Sequence, residues 1–238
     1  PIGTLSVVQA LATLDYSRTL IGNRLITSAL ATAGRERDPL IIAKHVVMTL
    51  SENEQVREAG PGCQEGLRAG LLGNPSLTNF ARSDAKGNVL CSVLPYESKL
   101  SLAKNDYWQR GITQSAFSIS APVMGEISKR QVLIGMLPLT KADGSKDGAI
   151  TVGIDLAWLQ KSLKTARKTA QAVIAVTDQN GKIIIRSGQD QLPELNAVSA
   201  EGRVAQGVTQ DDTVWMYASA PLYQQSLYIV YAEPKIIL

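Results

Sequence analysis

The chain has 238 residues, 45% of them hydrophobic and 19% charged, with a formal net charge of +3. That is enough apolar material for one large or two small folded units, and too little positive charge, too evenly scattered, to argue for nucleic acid. No apolar run approaches the ~18 residues of a membrane-spanning helix, and no signal peptide is visible. On composition alone, the two cysteines admit either a disulfide or a pair of buried thiols. The abrupt start at Pro1, inside a helical pattern, and the abrupt stop at Leu238 make us expect a soluble piece of a longer protein.

Residues 4–33 read as a long helix. Val7, Leu11, Leu14, Ile21 and Leu25 form a stripe near a ~3.5-residue period, interrupted by Arg18, of the kind that packs on a domain or on a second copy of itself. Residues 34–38 are polar. Asp38-Pro39 then carries the signature of a new helix, a capping side chain followed by proline at the first helical position. Leu40, Ala43, Val47 and Leu50 would be its buried face. His45, the only histidine, is expected to be structural and partly exposed. Gly60-Pro61-Gly62 breaks the chain. Residues 63–72 form a short helix with Leu67 and Leu71 inward, stopped by Gly73-Asn74-Pro75.

Strands follow. Residues 77–82 and 88–93 flank the turn Ser83-Asp84-Ala85-Lys86-Gly87 and make a hairpin. Residues 94–101 are loop, and 102–113 are a short helix or turn carrying Asp106, Tyr107, Trp108 and Arg110. Residues 116–120 alternate as a strand, and 123–129 are a glycine-containing loop. Strands at 131–139 and 149–154 enclose the turn at 141–147. Asp155 can then cap a helix whose apolar residues Leu156, Leu159, Leu163, Ala166 and Ala170 recur at spacings of three and four. Lys161, Lys164, Arg167 and Lys168 read as its solvated face.

The second half repeats the first in outline. Residues 172–177 and 182–186 flank Asp178-Gln179-Asn180-Gly181, and Asp178-x-x-Gly181 matches Asp84-x-x-Gly87. Residues 214–221 followed by Leu222 mirror 133–138 followed by Leu139, each an apolar strand ending in Pro-Leu. A last apolar strand closes each half, 149–154 and 226–231. We therefore expect two copies of one α/β unit, the first longer, its extra length lying between Pro95 and Gln131.

A Ser-His-Asp or Cys-His site needs a histidine, and His45 precedes both cysteines and every strand. Zinc sites need several close ligands, and Cys63 and Cys91 have no such neighbours. There is no phosphate loop and no GxGxxG. Asp143-Gly144 and Asp147-Gly148 lack the alternating ligands and distal glutamate of a calcium loop. Nothing here supports an enzyme or a cofactor. What remains is a binding feature: the extra segment holds Tyr107, Trp108 and Phe117 in a chain only 5% aromatic, together with Arg110, Ser118 and Ser120. Apolar walls with a few aimed polar groups suit a small-molecule pocket, although the same three aromatics serve equally well as the core of their unit.

An ordered set of motifs carries a resemblance. Cys63-x-x-x-Leu67, Asp84-x-x-Gly87-x-Val89-x-Cys91-Ser92, Asp106-Tyr107-Trp108, Ser120-x-Pro122, the run 132–138, and Gly148-x-x-x-Val152-Gly153-Ile154-Asp155-Leu156-x-Trp158-Leu159 resemble the double-Cache extracytoplasmic sensor domain. The match is closest to the versions in bacterial membrane histidine kinases and diguanylate cyclases. It covers nearly the whole chain and is strongest from Cys63 to Leu159. It implies an α+β fold: a long N-terminal stalk helix (1–36), a membrane-distal PAS-like ligand-binding unit (37–155), then a linker helix and membrane-proximal PAS-like unit (156–238). It also implies a periplasmic location between two transmembrane helices, a homodimer in the intact receptor, and a small ligand in the distal unit, often a carboxylate or an amino acid. The amino-acid-binding subgroup's arginine and tyrosine correspond here to Asn105 and Leu100; only its late aspartate, Asp155, matches.

On this basis the expected site lies between the strands 131–139 and 149–155 and the insert 105–120. Tyr107, Trp108 and Phe117 would be walls. Arg110, Ser118, Ser120 and Gln131 would supply hydrogen bonds, and Asp155 would hold a cationic or hydroxyl group. Arg110 favours an anion, which a guanidinium grips with two bonds; Asp155 favours the opposite. An oxidising compartment permits a Cys63–Cys91 disulfide, and any dimer is expected to use the N-terminal helix. The alternatives are the same module on a diguanylate cyclase or chemoreceptor, or a periplasmic protein-binding module without a small ligand.

Overall fold

A computed structural model describes residues 2–196, 198, 202–224 and 226–235, with side chains from residue 19 onward. The first element, α1 (Ile2–Ser51), is one unbroken helix with Pro39 inside it, not two helices parted at 34–38. A proline removes one backbone donor, and here the periodic burial outweighs that loss. Ala29, Ala33, Glu36, Leu40, Ala43, Val47 and Leu50 are all buried at spacings of three and four. The member that hid the stripe is Glu36. Its carboxylate is satisfied inside by the Arg35 Nε at 3.2 Å and by the Ser162 hydroxyl at 2.9 Å. Leu25 and Leu40 are buried and His45 is exposed; the side chains of Val7, Leu11 and Leu14 lie outside the described residues.

Two short helices follow, α2 (Glu54–Arg57) and α3 (Cys63–Ala69), the second ending three residues sooner than expected. A disulfide joins Cys63, at the start of α3, to Cys91, with their Cα atoms 6.3 Å apart.

Among the described residues, two five-stranded antiparallel sheets and two further helices follow. The first contains β1 (Leu77–Ser83), β2 (Val89–Ser92), β3 (Ser118–Met124), β4 (Gln131–Thr140) and β5 (Lys146–Asp155), in the order β2-β1-β5-β4-β3. The helix α4 (Asp106–Gly111) lies between β2 and β3 in the chain, and α5 (Leu156–Ala166) follows β5. The second sheet contains β6 (Val173–Asp178), β7 (Ile183–Arg186), β8 (Val204–Val208), β9 (Val214–Tyr223) and β10 (Leu227–Pro234), in the order β7-β6-β10-β9-β8. The strand orders are the same, so the duplication extends to all five strands. The arrangement is the double-Cache, PAS-like α+β fold. The chain divides into two compact units, Asp38–Leu159 and Pro1–Arg37 with Gln160–Leu238.

The repeated turns explain part of the likeness. Asp84 Oδ1 accepts from the Lys86 and Asn88 amides at 2.9 and 2.8 Å, and Gly87 takes φ +85. Asp178 Oδ1 accepts from the Asn180 and Lys182 amides at 2.8 and 2.9 Å, and Gly181 takes φ +81. The aspartate substitutes for missing backbone partners, and the glycine adopts a left-handed conformation that other residues resist.

Three expectations need correction. The strand β3 runs on through Pro122 to Met124, because an edge strand tolerates a residue without an N–H. The strand β8 was not anticipated. Ala170 lies past the end of α5 and is exposed, so the apolar stripe of that helix ends at Ala166.

Candidate functional site

Register assigns the faces of the first sheet. Asn79 and Ile134 both lie opposite Gly153, and Ala81 and Met136 both lie opposite Thr151. Successive side chains alternate across a strand, so these six residues share one face, and Phe80, Gly135 and Val152 belong to the other. On the first face, Ala81, Val89, Leu102, Trp108, Met136 and Ala149 form an apolar cluster, with Tyr107 and Ile127 packed against it.

Two spaces open over this face, divided by Tyr107 and Ile134, which line both. The inner cleft has a volume of about 30 Å³ and a floor of Asn79, Thr151 and Gly153; Glu126 and Ile127 also line it. That is room for about one or two water molecules. The outer groove has a volume of about 310 Å³ and is lined by Arg110, Gln114, Ser118, Ser120 and Met136, at the lower end of the ~300–1,000 Å³ typical of ligand pockets.

The expected site residues separate accordingly. Tyr107, Arg110, Ser118 and Ser120 come together on the outer groove. Arg110 is exposed, and its guanidinium is in no ion pair among the described residues. Ser120 is already engaged: its hydroxyl donates to the Ala121 carbonyl at 2.6 Å and accepts from the Ile134 amide at 2.9 Å. Trp108 is 3% exposed and belongs to the apolar cluster, so it serves as core beneath the site.

The structure does not bring Phe117, Gln131 or Asp155 to either space. Phe117 packs on the opposite face, over Gly135, where an added Cβ would come within 2.5 Å of its ring. Gln131 is exposed at the start of β4, opposite Met124. Asp155 is buried at the end of β5, ion-paired with Arg130, and its Oδ1 accepts from the Ala157 amide at 2.9 Å. Its carboxylate caps a helix, as its position at the strand-to-helix joint suggested.

Sequence reading missed the floor. Asn79 donates to the Ser92 hydroxyl at 2.9 Å, and its Oδ1 accepts from the Leu94 amide at 3.0 Å. Thr151 donates to the Ala81 carbonyl at 3.4 Å. Thr78 donates to the Gly153 carbonyl at 3.3 Å, and a Cβ on Gly153 would lie 2.3 Å from the Thr78 hydroxyl. The glycine therefore keeps the floor low. Polar residues inside an apolar strand were the available signal, at Asn79 and Thr151.

Burial, reinforced by the charge of Glu126, pushes the Tyr107 phenol up to about 12. At neutral pH the phenol remains protonated and keeps its O–H donor. Among the described residues no group of His, Cys, Asp and Glu is placed to hold a metal ion. A wider polar cleft of about 470 Å³ lies in the second unit, between residues 191–196 and β8.

No family model and no curated protein matches the chain. Solved structures do. An extracellular domain assigned to a histidine kinase shares 18% identity over 95% of this chain and 96% of its own, with a TM-score of 0.68. The fold is that of extracellular receptor sensor domains. The ligand-binding domain of a Campylobacter jejuni chemoreceptor, in complex with L-norvaline, shares 14% identity over 91% of both chains, with a TM-score of 0.69. That of a Pseudomonas fluorescens chemoreceptor, in complex with L-isoleucine, shares 14% identity over 93% of this chain and 95% of its own, with a TM-score of 0.74. At these identities the sensor-domain likeness is one of fold.

Proposed function

We propose that the chain is the extracytoplasmic input domain of a membrane receptor, most simply a sensor histidine kinase, and that it binds a small molecule without chemical change. The observation that carries this reading is the outer groove of the first unit. There a guanidinium in no ion pair among the described residues, a protonated phenol and two serines converge beside an apolar cluster, on a fold whose relatives hold amino acids. Arg110 selects for a carboxylate. The disulfide agrees with an oxidising compartment, and among the described residues no helix is long and apolar enough to cross a membrane.

Binding changes signalling only through a preference for one receptor state over another. The chain leaves the first unit through α1 and α5, so these helices carry the change, with Asp155 fixing the start of α5. In the intact receptor α1 is the dimer element: Leu20, Leu30, Ile41 and Met48 are apolar and exposed along it.

The test is a thermal-shift screen of small carboxylates, amines and amino acids on wild type, Tyr107→Ala and Arg110→Ala. A hit weakened by both substitutions supports the groove. A hit that both variants bind undiminished moves the site to the second unit. Single cysteines at Leu30 and Ile41 should crosslink across the receptor dimer; crosslinks confined to the second sheet count against α1.

A further inference from the structure

Beyond Arg110, the face carries a second and opposite charge. Among the described residues, Glu126 is the only charged one lining the inner cleft, and Arg110 the only one lining the outer groove. Both side chains are exposed and neither is in an ion pair among the described residues. Tyr107 and Ile134 line both spaces, so a molecule reaching from one charge to the other runs along the phenol and over Ile134. The inner cleft holds about 30 Å³ and the outer groove about 310 Å³. The small inner space suits a single ammonium group, and the larger outer one suits a carboxylate with part of its chain.

The geometry points to a ligand that is a zwitterion with separated charges: an ω-amino acid whose ammonium sits at Glu126 and whose carboxylate sits at Arg110, with methylenes against Tyr107 and Ile134. This rests on the outer groove being the ligand site and names the class of molecule that site takes. An α-amino acid carries both charges on one carbon and satisfies one end at a time. Burial first, and then the charge of Glu126, raise the Tyr107 pKa, in keeping with a carboxylate near the phenol that lines both spaces. A cation placed at Glu126 relieves that unfavourable field.

Two isomers make the test direct, 5-aminopentanoate and L-norvaline (2-aminopentanoate), each titrated calorimetrically into wild type, Glu126→Gln and Arg110→Gln. Both positions are exposed, and unchanged circular dichroism and melting would show that the variants fold. Wild type should bind 5-aminopentanoate about 10- to 100-fold more tightly than L-norvaline, the increment of one additional charge-assisted hydrogen bond. Glu126→Gln should erase that preference, and pentanoate should bind wild type and Glu126→Gln alike. Equal or tighter binding of L-norvaline overturns the inference, as does a preference that survives in Glu126→Gln. If Arg110→Gln still abolishes binding in either of those cases, the groove stands and only the assignment of the second charge falls. If neither isomer binds wild type, or Arg110→Gln binds as wild type does, both readings fall.

Discussion

The two sheets share a strand order but not a surface. Aligned on the turns Asp84-x-x-Gly87 and Asp178-x-x-Gly181, Asn79 of the first corresponds to Val173 of the second, and Thr151 to Val230. Gly153 corresponds to Ala232, and Ile134 to Tyr217. In the second unit the middle of that face is packed: Leu195, Val198, Trp215 and Tyr217 are buried in one apolar cluster with Val173 and Val230, and the open cleft lies at its β8 edge, lined by Tyr217 and Gly207. The Ser219 hydroxyl donates to the Val198 carbonyl and ties the covering loop down. In the first unit an amide, a hydroxyl and a glycine occupy the floor, and space remains above it. The same frame gives a packed core or a recess according to which side chains stand at four register positions.

The largest effect should come from opening the packed cluster of the second face. Trp215→Ala should cost about 3–5 kcal/mol, read by chemical denaturation, with ligand affinity of the folded protein unchanged. Loss of affinity in the folded variant would mean that the second face takes part in binding.

Removing the disulfide should cost somewhat less. Cys63→Ser with Cys91→Ser opens a cross-link between the start of α3 and β2, worth about 2–4 kcal/mol. Cys91 adjoins Ser92, which Asn79 holds at the cleft floor, so this loss should also weaken ligand binding. Mass spectrometry of alkylated, unreduced protein checks the bond itself: two free thiols would remove it and much of the case for an extracytoplasmic location.

Making the first floor resemble the second comes next. Asn79→Val deprives the Leu94 amide of its partner and should cost about 1–3 kcal/mol. It should also reduce the ligand-induced thermal shift. An undiminished shift would give Asn79 a structural role only.

The smallest effect concerns protons. The Tyr107 phenol is pushed up from 10.0 to about 12, so the folded chain keeps a proton that the unfolded chain gives up earlier. Stability from this group is complete below pH 10.0 and is lost as the pH rises through about 12. Ultraviolet titration should show a late phase that Tyr107→Phe removes and Glu126→Gln moves to lower pH. Amplitude lost near pH 10.0 instead of in the late phase would place the phenol in water.

Much of the frame is legible in the sequence, because hairpin turns and apolar strands announce themselves locally. Asp84, Gly87, Asp178 and Gly181 mark both copies, and Asp155 marks the joint. The continuity of α1 was hidden because Glu36, a charged residue, occupies a buried position whose partner Ser162 is distant in sequence. The strand β8 is a short edge strand of mixed exposure and carries little pattern of its own. The site was half visible. Tyr107, Arg110, Ser118 and Ser120 stand out by type and proximity. Phe117 stands out equally, yet its face is set by Gly135 across the β3–β4 pair, and pairing register is not written in either strand alone. Asn79, Thr151 and Glu126 come from three separate segments that only the folded sheet brings together.

The central claim is that the first face binds and the second does not. Hydrogen–deuterium exchange of the wild-type protein, with and without the best-stabilising compound from the screen, tests it most directly. Added protection should fall in residues 102–111 and 118–136. Protection confined to residues 190–217 would contradict the claim.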